Sequence, residues 1–262
     1  MKTVLAALDS SLAGNPVLVS ARGLAHLLGA RARAVHVTAG DDRTPRNVAQ
    51  AAGVPLSVVS GPVVERLIEE GRDEDVTAVV IGARGTPSGR RPLGSTALAV
   101  ATSLLKPVVV VPPDAHVAPE FHRILVPLEG TTSTSLAPRS LFEVAHGAQL
   151  DVIALHVHEE KDIPAFTDQP QHEHEAWARE FLARYCPWGI GAVSLEQRVG
   201  RSDELIPQVA EEAHCDLIAL GWAQALAPGR APVIRATLER SHVPVMLVPV
   251  HVQSEVREGT PA

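Results

Sequence analysis

The sequence has 262 residues, 45% hydrophobic and 20% charged, which is enough for a sizeable core and two ordinary domains. The formal net charge is −7, and residues 1–116 carry 12 basic and 10 acidic side chains, so the acidic excess lies in the rest of the chain. General nucleic-acid binding needs a basic surface and commonly uses aromatic stacking, whereas only 3% of these residues are aromatic. This composition argues against nucleic-acid binding.

The sequence contains no signal for a membrane or for secretion. Its apolar runs are shorter than the roughly 18 residues that span a bilayer, and MKTVLAALDSS at the start is unlike a signal peptide. We therefore expect a cytoplasmic protein with no membrane association. Cys186 and Cys215 are too few for a disulfide scaffold, and we expect them to pack as small apolar groups.

The first 112 residues alternate short apolar runs with helical patterns. Strands are predicted at Thr3–Leu8, Arg31–Val37, Leu56–Ser60, Ala78–Ile81 and Val108–Val111. Helices are predicted after DSSLAGNP as far as Leu28, and at Asn47–Ala52, Val63–Glu70 and Ala97–Leu105. This order predicts an α/β fold, a doubly wound five-stranded mostly parallel sheet with helices on both faces. Ligands of such sheets bind at the carboxyl ends of the strands, where Asp9, Val37 and Gly82 fall.

The segment from Val79 to Thr96, VVIGARGTPSGRRPLGST, is rich in glycine and arginine. Its glycines follow a strand and would let a ligand approach the backbone, and its Gly-Ser-Thr triplet opens a helix, where anions are favoured. The residues concerned are Gly82, Gly85, Gly94, Ser95 and Thr96, with Arg84, Arg90 and Arg91 adding positive charge. An equally open interpretation is a loop that needs glycine for its turns, with Ser95 as an ordinary helix cap. Neither a Walker loop nor GxGxxG is present here.

From Arg123 the pattern begins again. RILVPLEG repeats KTVLAALDS and ALHV repeats AVHV at an offset of 120, later glycines match at 139, and VPVMLVP repeats KPVVVVP at 137. The second copy therefore holds an insertion of 19 residues, placed within Glu159–Gly189. We predict a first domain at 1–113, a linker at 114–122, a second domain at 123–250 and a loose tail at 251–262.

Asp9, the His36-Val37 pair and the glycine loop together resemble the universal stress protein family, in its tandem-domain form. The family motif is G-x2-G-x9-G-[ST], whereas here eight residues separate Gly85 from Gly94. The resemblance implies a stress-response protein that binds ATP with Mg²⁺. It implies phosphate binding by Gly82, Gly85, Gly94, Ser95 and Thr96, nucleoside binding by Asp9 with Ala7, and base recognition by the main chain of Val37. Arg84 and Arg91 are added to this site from their charge alone.

The second copy departs from the motif at each phosphate position except Gly221. Gln224 stands where the second glycine belongs, and Ala231 and Pro232 replace Gly94 and Ser95. Proline has no N–H to offer a phosphate, Trp222 adds bulk, and Glu129 is one methylene longer than Asp9. We therefore expect one nucleotide per chain, with the second copy serving as a packing partner.

Other functions have weaker support in the sequence. The histidine-rich segment from His156 to Glu175 matches no structural zinc spacing and is interpreted as solvated and polar. No GxSxG elbow is present, His36 is expected to be a buried, hydrogen-bonded strand residue, and the resemblance implies at most slow ATP hydrolysis. It also implies a homodimer through Val108–Val111, or an intrachain pseudo-dimer of the two copies, and an unknown protein partner. A scaffold of the same fold without a nucleotide remains the alternative.

Overall fold

The computed structural model describes residues 1–11, 14–38, 40–84, 93–128, 145, 148–158, 180, 183, 193–224 and 231–250. Gly85, Arg90, Arg91, Glu129, the predicted insertion and the tail after Val250 lie outside this part of the chain. None of the described helices is long and apolar enough to cross a membrane.

The first half contains five strands and four helices in alternation. The strands are β1 (Thr3–Leu8), β2 (Arg31–Thr38), β3 (Leu56–Ser60), β4 (Val76–Gly82) and β5 (Val108–Val111). The helices are α1 (Gly14–Leu27), α2 (Arg43–Ala51), α3 (Val63–Arg72) and α4 (Ser95–Ser103). Each predicted element of this half is present, with ends that differ by a few residues.

The largest difference is at α2, which begins at Arg43 and not at Asn47. Pro45 is compatible with this start because the first helical turn does not need its missing N–H. An ion pair of 2.7 Å between Arg46 and Asp42 spans the first turn. The prediction that the helix starts at Asn47 was therefore wrong.

The second half repeats this arrangement. Its strands are β6 (Arg123–Pro127), β7 (Asp151–His158), β8 (Val193–Val199), β9 (Leu217–Trp222) and β10 (Val245–Pro249). Its described helices are α5 (Ser202–Glu212) and α6 (Pro232–Arg240).

All ten strands form one sheet in the order β3-β2-β1-β4-β5-β10-β9-β6-β7-β8. Within each half all pairings are parallel, and the antiparallel contact is between β5 and β10, where Val110 faces Val245. The fold is therefore two tandem doubly wound α/β units, as predicted, and each covers the last-strand edge of the other.

The strand register confirms the repeat offsets read from the sequence. Val4 pairs with Ala78 in the first half and Ile124 with Leu217 in the second, which are shifts of 120 and 139. Val79 pairs with Val108 and Ile218 with Val245, and the shift from Val108 to Val245 is 137. The 19-residue insertion therefore lies between β7 and β8, and the second copy is two residues shorter between β9 and β10.

Two hydrophobic layers cover the faces of the sheet. One contains the buried side of α1 and Ala49 of α2, and the other contains the buried sides of α3, α4, α5 and α6. Both layers run across the β5–β10 contact, because alternate residues of these two strands point to opposite faces. The two halves therefore share one continuous core on each face.

Candidate functional site

The candidate site lies where β1 ends in the middle of the first half. The strand order reverses direction there, since β2 and β3 lie on one side of β1 and β4 and β5 on the other. Open α/β sheets form their ligand crevice at this switch point. The last pairs of β1 are Leu8 with His36 and Ala7 with Ile81, so Val37 and Gly82 lie one residue beyond the paired part of β1.

A cavity of about 310 Å³ occupies this crevice. Eight of the nine predicted site residues line it, namely Ala7, Asp9, Val37, Gly82, Arg84, Gly94, Ser95 and Thr96. The ninth, Gly85, lies outside the described residues. Residues that are up to 89 positions apart in the sequence are thus brought to one place by the parallel topology.

Asp9 follows β1 directly and is held by a local turn. Its Oδ1 accepts hydrogen bonds from the Ser11 amide at 2.9 Å and the Ser11 hydroxyl at 2.6 Å. These bonds satisfy one carboxylate oxygen and orient the group. Among the described residues Oδ2 has no hydrogen-bond partner, so it can accept from a ligand hydroxyl at this strand end.

The N-terminus of α4 forms the opposite wall of the cavity. Gly94 is the N-cap residue, in an extended conformation, and among the described residues no side chain makes a capping hydrogen bond there. The reading of Ser95 as an ordinary cap was therefore wrong, because Ser95 is the first helical residue. The first amides of a helix have no partner within it, so their N–H groups are suited to an anion. Ser95, Thr96 and Ala97 at the start of α4 line the cavity.

Gly94 is needed for a close backbone contact. Its amide donates to the Ala83 carbonyl at 3.0 Å, and a Cβ on Gly94 would lie 3.0 Å from the same oxygen. At Gly82 a Cβ would meet its nearest atoms at 3.6 and 3.7 Å, which is ordinary contact. Of the two described glycines of the motif, Gly94 is therefore the one whose position leaves no room for a side chain.

Further lining residues were not singled out from the sequence. They are mostly apolar, and include Leu8, Gly14, Val17, Val63, Leu67, Ile81 and Ala83. Nothing in their hydropathy separates them from other core positions, so only the packing of α1 and α3 against the strand ends brings them here.

His36 also lines the cavity and is 3% exposed, as the sequence analysis expected of a buried strand residue. Its Nδ1 lies 2.9 Å from the Leu8 carbonyl, which can only accept, so Nδ1 carries the proton. Nε2 is buried and has no hydrogen-bond partner in the described structure. This histidine holds β2 to the end of β1 through its contact with Leu8.

The second half keeps the histidine, Val157 and Gly221 at the repeat positions of His36, Val37 and Gly82, and differs at the start of the last helix. His156 Nδ1 lies 3.0 Å from the Leu128 carbonyl, the same bond at the offset of 120. Trp222, at the position of Ala83, is 2% exposed. Ala231, at the position of Gly94, has a left-handed backbone with φ of 49°, and α6 begins with Pro232. This crevice is therefore bulkier and has one fewer N–H at the helix start.

The other candidate chemistries leave no trace in the described residues. These residues contain no group of three or more His, Cys, Asp or Glu side chains that could hold a metal ion. The Cys215 thiol is buried, and burial raises its pKa to about 11, so it is a packing residue and not a nucleophile.

Comparisons with known proteins agree with this fold. The model of the universal stress protein family matches residues 43–112 and 120–249. A putative universal stress protein structure from Pseudomonas aeruginosa is 15% identical, with 95% of this chain and 94% of that chain covered and a TM-score of 0.66. One from Archaeoglobus fulgidus is 19% identical, with 95% and 97% covered and a TM-score of 0.65.

A family protein from Arabidopsis thaliana, determined with AMP bound, matches 52% of this chain and 97% of its own, at 15% identity and a TM-score of 0.36. No curated protein matches the sequence. Because the family model covers well over half of the residues, in one segment at 43–112 within the first half and one at 120–249 that spans the second, the chain belongs to the universal stress protein family.

Proposed function

We propose that the first half binds one adenine nucleotide, ATP with Mg²⁺, and that binding signals through the surface around residues 83–93. The observation that carries the proposal is the convergence of eight predicted residues on one cavity at the switch point of the sheet. A cavity of about 310 Å³ is at the lower end of the usual range for small-ligand sites.

The donor set fits a nucleotide. Asp9 offers a carboxylate oxygen for a ribose hydroxyl, and the start of α4 offers amides and the hydroxyls of Ser95 and Thr96 for phosphates. Arg84 adds a guanidinium at the same wall. The proposal takes the protein to be a cytoplasmic stress-response protein in which the nucleotide is a signal and not a substrate.

Isothermal titration with ATP and Mg²⁺ tests the proposal. We expect one site per chain, and Asp9→Ala should weaken the affinity at least about tenfold, since a charge-assisted hydrogen bond contributes roughly 1.5–3 kcal/mol. Glu129→Ala is the matched control at the repeat position of the second half, and it should leave the affinity unchanged.

Two results would contradict the proposal in different ways. Two ATP molecules per chain would mean that the second half binds as well. No heat from the wild-type chain, at concentrations that detect a complex of about 100 μM, would favour the alternative of a scaffold without a nucleotide.

A further inference from the structure

One exposed apolar side chain lies at the mouth of the cavity. Among the described residues, four large hydrophobic side chains are exposed, namely Met1, Val63, Leu105 and Val199. Of these, Val63 lines the cavity, and it is 45% exposed at the first position of α3. Apolar area left open beside a polar site can be covered by an apolar part of a ligand.

Val63 belongs to an apolar end of the cavity. Leu67 lies one helical turn later on α3, lines the same cavity and is 5% exposed. Val37 and Ala7, at the strand ends below, are each 8% exposed and lie in the hydrophobic layer that contains Leu67. The polar groups lie at Asp9 and at the start of α4. The cavity therefore has apolar side chains on α3 and at the ends of β1 and β2, and polar groups at Asp9 and at the start of α4.

An ion pair joins α3 to β2. Arg33 of β2 and Glu70 of α3 lie 2.8 Å apart, and both side chains are mostly shielded. Glu70 lies in the last turns of the helix, so this pair positions the helix that carries Val63 and Leu67 relative to the sheet.

We propose that Val63, with Leu67, forms the wall against which the purine base of the bound nucleotide packs. The proposal rests on the proposed function of this site and adds the residue that makes it select a nucleotide over a bare polyphosphate. The flat apolar base covers the exposed face of Val63, while its phosphates reach the start of α4. Val63 is thus a specificity residue that contributes no hydrogen bond.

The test is a titration of the full-length chain with two ligands, ATP with Mg²⁺ and inorganic tripolyphosphate with Mg²⁺. Val63→Ser should raise the Kd for ATP about tenfold, which is typical of a shortened apolar contact in a pocket. The same variant should leave the Kd for tripolyphosphate unchanged, because the phosphate wall is intact. Leu105→Ser is the control, since Leu105 is 69% exposed and is not among the residues that line the cavity.

Each outcome separates this proposal from the function on which it rests. An unchanged Kd for ATP in Val63→Ser, with normal binding by the wild type, overturns the base wall and leaves ATP binding standing. An equal weakening for both ligands also overturns it, because Val63 would then act on the whole site. A wild-type chain that binds tripolyphosphate as tightly as ATP has no base wall, and one that binds neither ligand overturns both proposals.

Discussion

The two halves of this protein share a topology and differ at one crevice. In the first half β1 pairs with β4 along five registered positions, whereas in the second half β6 pairs with β9 at two. The first crevice ends in Ala83 and Gly94 and encloses a cavity, while the second has Trp222 and Ala231 at the same positions. The two halves therefore share their topology and core packing although their crevices carry different residues.

The second half also contacts the first half at two places. The β5–β10 contact covers the apolar last strand of each half, and Gln224 Nε2 donates to the Leu104 carbonyl at 2.6 Å. Gln224 stands at the repeat position of Gly85, and Leu104 is the C-cap of α4, whose other end lines the cavity. Gln224 of the second copy thus contacts the first half. In contrast, its counterpart Gly85 in the first copy is predicted to bind phosphate.

The largest effect is expected at Trp222, which is 2% exposed. Trp222→Ala should lower the free energy of unfolding by about 3–5 kcal/mol, because it removes a large buried side chain and leaves a cavity. Urea unfolding would measure this loss. A cost below about 1 kcal/mol would mean that the indole does not fill the second crevice, and the contrast between the halves would fail.

Gly94→Ala should lower the free energy of unfolding by about 1–3 kcal/mol and weaken ATP binding, because the new Cβ would lie 3.0 Å from the Ala83 carbonyl oxygen. The reciprocal change, Ala231→Gly, should stabilise the chain by about 0.5–1 kcal/mol, since φ of 49° is strained for alanine. Gly82→Ala is the matched control with ordinary contacts. Thermal unfolding of the three variants measures these changes, and equal effects of Gly94→Ala and Gly82→Ala would contradict the argument.

Gln224→Glu should cost about 1–2 kcal/mol of stability, because it removes the donor to the part-buried Leu104 carbonyl. The control is Gln208→Glu, where an exposed bond of 2.7 Å to Glu212 is lost and a few tenths of a kcal/mol are expected. Denaturant unfolding of both variants gives the comparison. If the two cost the same, the contact between the halves at Gln224 contributes no more than a surface bond.

His156 of the second half gives a test by pH. Burial is the main cause that lowers the pKa of His156, so the unfolded chain takes up a proton at higher pH than the folded one. The stability that the neutral ring contributes is therefore present above the ordinary histidine pKa of about 6.5 and declines as the pH falls below it. Unfolding of the wild type and of His156→Gln between pH 7.5 and 5 should show a shallower decline in the variant, and parallel curves would contradict this.

The smallest effect is expected at Cys215, which stands at the repeat position of Val76 and is similarly buried. Cys215→Val should change the stability by less than about 1 kcal/mol, because it places the residue of the first half in the same core. With its pKa raised to about 11, the thiol should also resist alkylation at pH 7.5 in a Cys186→Ser background. Rapid labelling of the folded protein would show that the site is open.

The sequence by itself determined the repeat, the alternation of strands and helices in a doubly wound unit and most of the residues that meet at the crevice. It could do so because strand runs and their carboxyl ends are local patterns, and parallel topology brings those ends together whatever their separation along the chain. The offsets of 120, 139 and 137 between the two copies also separate the paired strand residues of one half from those of the other, because matching strands pair at matching positions. The start of α2 at Arg43, four residues before the predicted one, was not recognised in the polar stretch that precedes Asn47, although a first helical turn tolerates Pro45.

Only the tertiary structure decided the remainder. Three features depend on distances between elements. The Ala83 carbonyl requires glycine at position 94, Val63 stays exposed beside the cavity, and Gln224 contacts Leu104. Such distances follow from how helices pack across the sheet, which hydropathy does not encode residue by residue. The pairing of β5 with β10 joined the two halves into one sheet, where an exposed apolar edge in either half alone would have needed a partner.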